Sequence, residues 1–281
     1  MGFVLLTGCE PAHAMPASTA SPALALFVHS TGTGPFMWSR HLADLPEGLA
    51  PLTPANLGYS PATALPAGQA STVADEVAHL RAQIPEGTEA VHLGGHSYGG
   101  LVAMSLAQAL AAEGRVAVRS LWLYEPVLFA PLKADEAGLP PDVAREVAWL
   151  YSDPLFLQEE HGGSEAWLQG FVDYWNQPGA WAALPDKARA MARQVGWKMF
   201  QEVRCVAREA QDFAHYRFAI PLTLVRGEHT TPPAREMLHR LATVNPHAEV
   251  TVLPGVGHMG VVSATEAVGQ SLRAHWQRAL A

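Results

Sequence analysis

The stretch Val91-His92-Leu93-Gly94-Gly95-His96-Ser97-Tyr98-Gly99-Gly100-Leu101-Val102-Ala103-Met104 leaves this chain few architectures to adopt. A short apolar run stops at a glycine pair, one serine stands between Gly95 and Gly99, and an alanine- and leucine-rich segment continues to about Ala112. That order predicts a strand, a sharp turn and a helix. A serine on such a turn is held in a strained backbone conformation, and a side chain two residues to either side would strike neighbouring backbone, so only glycine-sized residues fit at 95 and 99. The hydroxyl is thereby pushed out beyond the end of the strand. The following helix aims its unpaired N–H groups, the positive end of its dipole, at the same spot, where they favour developing negative charge. Gly-x-Ser-x-Gly by itself is a common pattern in ordinary turns. Its flanking strand and apolar helix give it weight as the seat of a serine nucleophile.

The rest of the chain supplies the sheet that such a turn needs. Leu24-Ala25-Leu26-Phe27-Val28 is a continuous apolar run of the kind found in strands buried on both faces, and it ends in His29-Ser30-Thr31-Gly32-Thr33-Gly34-Pro35. Trp38 to Leu45 reads as a short helical segment and Thr53 to Ser60 as a loop. Ser71 to Glu76 offers capping residues ahead of apolar positions 73, 77, 80 and 84, which predicts a helix ending by Pro85. Gly114 is placed to close the helix after the serine. Val118 to Tyr124 is the next predicted strand, running directly into Glu125-Pro126.

From Val127 to Tyr216 strand patterns vanish. Helices are predicted over Asp142–Tyr151, Ser164–Trp175, Trp181–Val195 and Val195–Asp212, a region that carries Trp149, Trp167, Trp175, Trp181 and Trp197. Strand and helix alternation then resumes with Leu222 to Gly227, a helix from Pro233 to Val244, a strand from Glu249 to Leu253, the loop Pro254 to Gly260 and a last helix to Ala279. Strands alternating with helices imply an α/β chain with a mostly parallel central sheet covered by helices on both faces. Residues 1–126 and 217–281 are expected to form that core, and 127–216 a helical cap inserted into it. Phe3 to Leu6 is predicted as a further edge strand.

Composition narrows the function. At 281 residues, 49% of them apolar, the chain buries a full core. Its net charge of −8 and the absence of clustered Lys and Arg argue against nucleic-acid or anionic-membrane surfaces, leaving small neutral or weakly polar molecules as partners. Cys9 and Cys205 are distant and unaccompanied, which reads as free thiols of a reducing, cytoplasmic compartment. The apolar start through Cys9 lacks a basic leader and is too short for a lipoprotein signal. No run is long enough to cross a bilayer. No His, Asp, Glu or Cys grouping has metal-ligand spacing, so no metal or other cofactor is expected.

In an open parallel sheet, sites form outside the carboxyl ends of the strands, and Thr31, Ser97, Glu125 and His258 all fall at such ends. Ser97 is a poor nucleophile at neutral pH; His258, with an ordinary pKa near 6.5, is suited to take its proton and return it to a leaving group. A carboxylate is needed to hold the imidazole and offset its transient charge. The N–H of Tyr98 and one from the His29-Ser30-Thr31 turn, that of Thr31 or else Ser30, would bind an oxyanion. His29, Trp175 and Trp181 are expected beside the substrate, although large aromatics at helical spacing more often serve packing.

On His29-Ser30-Thr31-Gly32, Gly95-His96-Ser97-Tyr98-Gly99-Gly100 and Leu253-Pro254-Gly255-Val256-Gly257-His258-Met259, the chain resembles the α/β-hydrolase-fold esterases and small-molecule hydrolases over essentially its whole length. The resemblance implies a cofactor-free serine hydrolase that cleaves an ester or related carbonyl bond of a small apolar molecule through an acyl-enzyme on Ser97. Carbon–carbon bond hydrolysis and acyl transfer use the same triad, and a non-catalytic, ligand-binding member of the fold is the rival of another class. Two positions depart from the family pattern. His29 is followed by serine where glycine is usual. The family's acid usually stands in a Gly-x-x-Asp that would end at position 230, which is threonine here, so the acid is expected to be Glu125, which directly ends its strand at a position the family also uses, with Glu228 as the alternative.

Overall fold

The computed structural model describes residues 23–281, so the strand expected at Phe3–Leu6 and the question of Cys9 lie outside the described residues. Among these residues, β1 (Ala23–Val28), β2 (Leu49–Leu52), β3 (Ala90–His96), β4 (Ala117–Tyr124), β5 (Leu222–Gly227) and β6 (Glu249–Leu253) form one sheet in the order β2-β1-β3-β4-β5-β6. Every neighbouring pair is parallel. Chain direction across the sheet reverses between β1 and β3, and at such a switch point the loops at the strand ends splay apart and leave a crevice.

The strands alternate their side chains between two buried layers. Leu24, Leu26, Leu93, Leu121, Leu123 and Leu224 face α1 (Val73–Arg81), α2 (Tyr98–Glu113) and later α9 (Pro232–Val244). Ala25, Phe27, Trp122, Tyr124 and Val225 face the other way, against α10 (Gly260–Ser263) and α11 (Thr265–Ala279) through Val261, Val268, Leu272 and Trp276. α1 starts in a capping box: the Thr72 hydroxyl accepts the Asp75 N–H at 3.2 Å while the Asp75 carboxylate accepts the Thr72 N–H at 2.8 Å. α2 closes on Gly114 at φ +68°.

Between β4 and β5 the chain is helical: α3 (Phe129–Ala134), α4 (Pro141–Ser152), α5 (Pro154–Leu157), α6 (Glu165–Trp175), α7 (Ala180–Ala183) and α8 (Asp186–Arg208). α6, α7 and α8 share a small core of their own, built on Trp167, Leu168, Trp181, Met199 and Phe200. The helix boundary expected at Val195 does not exist, because α8 runs unbroken through it. Gly196 sits inside this helix as a packing residue: a Cβ there would stand 3.0 Å from the Gly163 carbonyl oxygen. The segment expected to be helical from Trp38 to Leu45 is reduced to two 3₁₀ turns, Pro35–Trp38 and Leu42–Asp44.

Candidate active site

Strand register sets the site. Val28 pairs with Gly95, His96 with Tyr124, Tyr124 with Val225 and Gly227 with Leu253, so five strand ends arrive level with one another. Ser97 is the first residue past β3 and has φ +57°, a left-handed conformation that L-residues avoid. It is pinned by its N–H, which donates to the Tyr124 carbonyl at 3.0 Å. The framing glycines are sterically required: a Cβ on Gly95 would lie 2.4 Å from the Gly99 oxygen, and one on Gly99 would lie 2.4 Å from the Val28 oxygen.

Glu125 is the first residue past β4 and is the other described non-glycine residue with positive φ, at +43°. Its N–H donates to the Val225 carbonyl at 2.9 Å, which turns its side chain in under the loop that follows β6. There the His258 Nδ1–H donates to Glu125 Oε2 at 2.6 Å, and Ser97 Oγ lies 2.9 Å from His258 Nε2. Glu125 Oε1 accepts the Gly227 N–H at 2.7 Å, and Oε2 also accepts the Thr230 hydroxyl at 2.7 Å. The carboxylate, fully buried, is thus supplied with three donors, as a buried charge must be. With Nδ1 donating to a carboxylate, Nε2 is left to accept the serine proton.

Two further histidines brace the surroundings. His96 donates from Nε2 to the His258 carbonyl at 2.8 Å, holding the loop, and burial keeps its pKa well below the ordinary value. His29 donates from Nδ1 to the Ser30 carbonyl at 3.0 Å and accepts the Asn56 N–H at Nε2, also at 3.0 Å. Burial pushes the His29 pKa down to about 4, so the ring stays neutral and keeps both bonds. The turn beyond it is closed by the Thr33 N–H donating to the Ser30 carbonyl at 3.2 Å, a bond that leaves the Thr31 N–H unused. Gly32 supplies the φ of +71° that this turn requires. Tyr98 opens α2, so its N–H has no partner within the helix. Thr31, Ser97 and Tyr98 border one cavity.

Residues 25–270 match the model of the Alpha/beta hydrolase family. The chain belongs to that family. Lipase 1 of Psychrobacter immobilis is 26% identical over 188 residues, which are 66% of this chain and 55% of that protein, so the chain spans about half the length of this curated relative. A thermophilic esterase from Thermogutta terrifontis superposes with a TM-score of 0.63 at 18% identity, over 93% of this chain and 92% of that one. A hydrolase from Pseudomonas aeruginosa gives 0.64 at 19% identity, over 92% and 91%. At such identities the two structures speak for the fold.

The sequence offered this alpha/beta hydrolase two carboxylates, and the geometry brings only one to the histidine. Glu228 turns outward: its side chain is 57% exposed, accepts the Gly255 N–H at 2.8 Å and approaches His229 at 3.9 Å. Thr230, where the family pattern has aspartate, instead donates to Glu125. Of the aromatic residues expected beside a substrate, Trp175 lies against His258, its ring stacked on the imidazole with centroids 3.9 Å apart and planes 25° from parallel. Trp181 is not. It is buried in the core of the insert and donates its Nε1–H to Glu165 at 3.0 Å, because that core needs a large side chain where α6, α7 and α8 meet. His29 likewise stands behind the Ser30–Thr33 turn, consumed by its bonds to Ser30 and Asn56, while Ser30 and Thr31 border the groove.

A buried charged cluster beside the site is absent from the sequence reading. Lys198 Nζ lies 2.7 Å from Glu76 and 3.1 Å from Glu202, all three side chains essentially without solvent contact. Tyr59 donates its hydroxyl to Glu202 at 2.9 Å and accepts the Gly32 N–H at 2.7 Å, tying the cluster to the Ser30–Thr33 turn. Burial alone would lower the Lys198 pKa, but the two carboxylates hold it above the ordinary value. Burial raises Glu202. Lys198 and Glu202 are four apart on α8, the spacing of an ordinary solvated helix pair, so no local signal marks them as interior.

Proposed function

We propose that this chain is a serine ester hydrolase working through an acyl-enzyme on Ser97. The reading is carried by the unbroken line of hydrogen bonds from Ser97 Oγ through the His258 ring to Glu125. His258 takes the proton from Ser97 Oγ as that oxygen attacks a carbonyl carbon, and Glu125 stabilises the imidazolium that forms. The tetrahedral oxyanion sits between the N–H groups of Tyr98 and Thr31; a donor so placed contributes roughly 3 kcal/mol to the transition state. His258 then protonates the leaving group, and a water activated by the same nitrogen releases the acid. Trp175, stacked on the ring, keeps the imidazole from rotating away and meets the imidazolium with its π-face.

In this reading residues 1–126 and 217–281 form the catalytic core and 127–216 a cap that shapes what reaches Ser97. Ser97, His258, Glu125 and both oxyanion donors lie in the core, and Trp175 reaches the histidine from the cap. The test is stoichiometric labelling by a fluorophosphonate, followed by Ser97→Ala. That variant is expected to lose labelling and ester turnover while keeping its thermal midpoint within a few degrees, since it deletes one hydroxyl and no packing. Wild-type protein that neither labels nor hydrolyses simple esters, or an alanine variant that retains activity, overturns the proposal.

A further inference from the structure

Two cavities meet at Ser97. Thr31, Ser97, Phe171 and Trp175 border both and form the partition between them. The inner chamber runs between the sheet and the helical insert, against Val127, Phe129, Val203, Val206 and Ala207. Glu202 is the one charged residue on its wall, and the carboxylate, engaged by Lys198 and Tyr59, has no exposed surface to offer a ligand. The outer groove carries Ser30, Thr33 and Asn176 on its walls, and has the exposed Phe36 and Val262 on its rim.

The histidine breaks the symmetry between these spaces: His258 borders the outer groove and not the inner chamber. In acyl transfer the group that departs must receive its proton from His258 Nε2, within hydrogen-bond reach. The leaving alcohol therefore lies in the groove, and the acyl chain on the other side of the reacting carbon enters the chamber. The two spaces also differ in size. The chamber offers about 50 Å³ of free volume and the groove about 330 Å³, so the groove takes the larger group.

We infer, on the basis of the serine esterase reading above, that the substrate is an ester joining a short, uncharged, apolar acyl group to a larger alcohol that remains partly in solvent. Ser97 Oγ forms a bond to the acyl carbon as the bond from that carbon to the alcohol oxygen breaks, and the serine proton passes through His258 to the departing alkoxide. Water then adds to the acyl carbon and gives a proton to His258. Ser97 Oγ departs and takes that proton back, releasing a short carboxylic acid.

Two ester series test the assignment. One varies the acyl chain on a fixed alcohol, 1-naphthyl acetate, butyrate, hexanoate and decanoate; the other varies the size of the alcohol on a fixed acyl group at similar leaving-group basicity, ethyl, hexyl and 2-phenylethyl butyrate. kcat/KM is expected to fall more than tenfold from butyrate to decanoate and to change less than tenfold across the alcohols. Ala207→Phe, which fills the chamber, should lower the butyrate-to-acetate ratio about tenfold, and Ala188→Trp, in the groove, should lower the 2-phenylethyl-to-ethyl ratio instead. Should either variant misfold, the wild-type series decides alone. Tolerance of decanoate with sharp selection among alcohols, or the two variants acting on each other's series, overturns the inference while fluorophosphonate labelling of Ser97 leaves the esterase reading standing. Wild-type protein that does not label removes both.

Discussion

Replacing Glu125 by glutamine keeps the size of the side chain and inverts its hydrogen-bond capacity at one atom. Three donors converge on the native carboxylate: the Gly227 N–H on Oε1, and the Thr230 hydroxyl with the His258 Nδ1–H on Oε2. Because the Gly227 N–H cannot turn, the glutamine oxygen must take that side, and its NH₂ then faces His258. Donor against donor is untenable at 2.6 Å, so the histidine shifts its proton to Nε2, where it points at Ser97 and can no longer accept the serine proton. Loss of the carboxylate also leaves the imidazolium of the transition state unsupported. The combined cost in a well-studied triad is about ten-thousandfold in kcat, about 5.4 kcal/mol, with the geometry intact. Glu228→Gln changes an exposed carboxylate that caps only the Gly255 N–H, and is expected to stay within tenfold, about 1.4 kcal/mol. The assay is kcat on 1-naphthyl butyrate, with circular dichroism to show that both variants are folded. Equal losses in the two variants, or a Glu125→Gln enzyme within tenfold of wild type, would refute the argument.

Buried histidines make the fold acid-sensitive. His29 has its pKa lowered to about 4, and His275, caught between Ser120 and Thr223, to about 3, both chiefly by burial. Each therefore binds its proton more readily in the unfolded chain, so the stability they contribute is full well above pH 6.5 and is lost as pH falls through and below it; from pH 8 to 5 the two together cost about 4 kcal/mol, measurable by urea unfolding, and a flat profile would contradict this. Among the tryptophans, Trp181→Ala should lose roughly 3–5 kcal/mol of stability with little change in substrate ranking. Trp175→Ala should instead lower kcat with little loss of stability, because the ring lies on His258; the reverse pattern would exchange their roles.

What the sequence disclosed depended on how far each feature acts from its own neighbours. β1, β3, β4 and β5 are buried on both faces and show as continuous apolar runs, and the serine turn carries its own explanation in two glycines. β2 did not show, because it is a short edge strand containing Pro51, and an edge tolerates a residue that cannot donate to a ladder. The Lys198, Glu76 and Glu202 cluster was invisible for a different reason. Its members lie on α8 and α1, and only the docking of the insert on the core turns an ordinary-looking helix pair into a buried ion network. The choice between Glu125 and Glu228 was of the same kind, a question of direction rather than residue type, since both follow strands by one residue. The strand-end position favours Glu125, and the +43° φ that turns its carboxylate toward His258 is visible only in the structure.

The threonine at 230 follows from where the carboxylate sits. β4 and β5 pair side by side, with Tyr124 opposite Val225, so a side chain from just past either strand can reach Nδ1 of the same histidine. An aspartate at 230 in addition to Glu125 would set two carboxylates in one buried spot, and two unit charges 4 Å apart at an effective dielectric of 20 repel by about 4 kcal/mol. One of the pair would have to bind a proton. A hydroxyl at 230 avoids this and supplies a donor to Glu125 Oε2 at 2.7 Å. On this argument the two positions are alternatives for one charge, which gives a direct test. Thr230→Asp made in the Glu125→Gln enzyme returns a carboxylate to within reach of His258, restores a proton on Nδ1 and leaves Nε2 free to accept from Ser97. It should recover at least tenfold of the lost kcat, about 1.4 kcal/mol, whereas Thr230→Asn in the same background should recover none. A folded double variant as inactive as Glu125→Gln would show that the strand ends are not interchangeable and that the acid is fixed by the backbone turn at 125 alone.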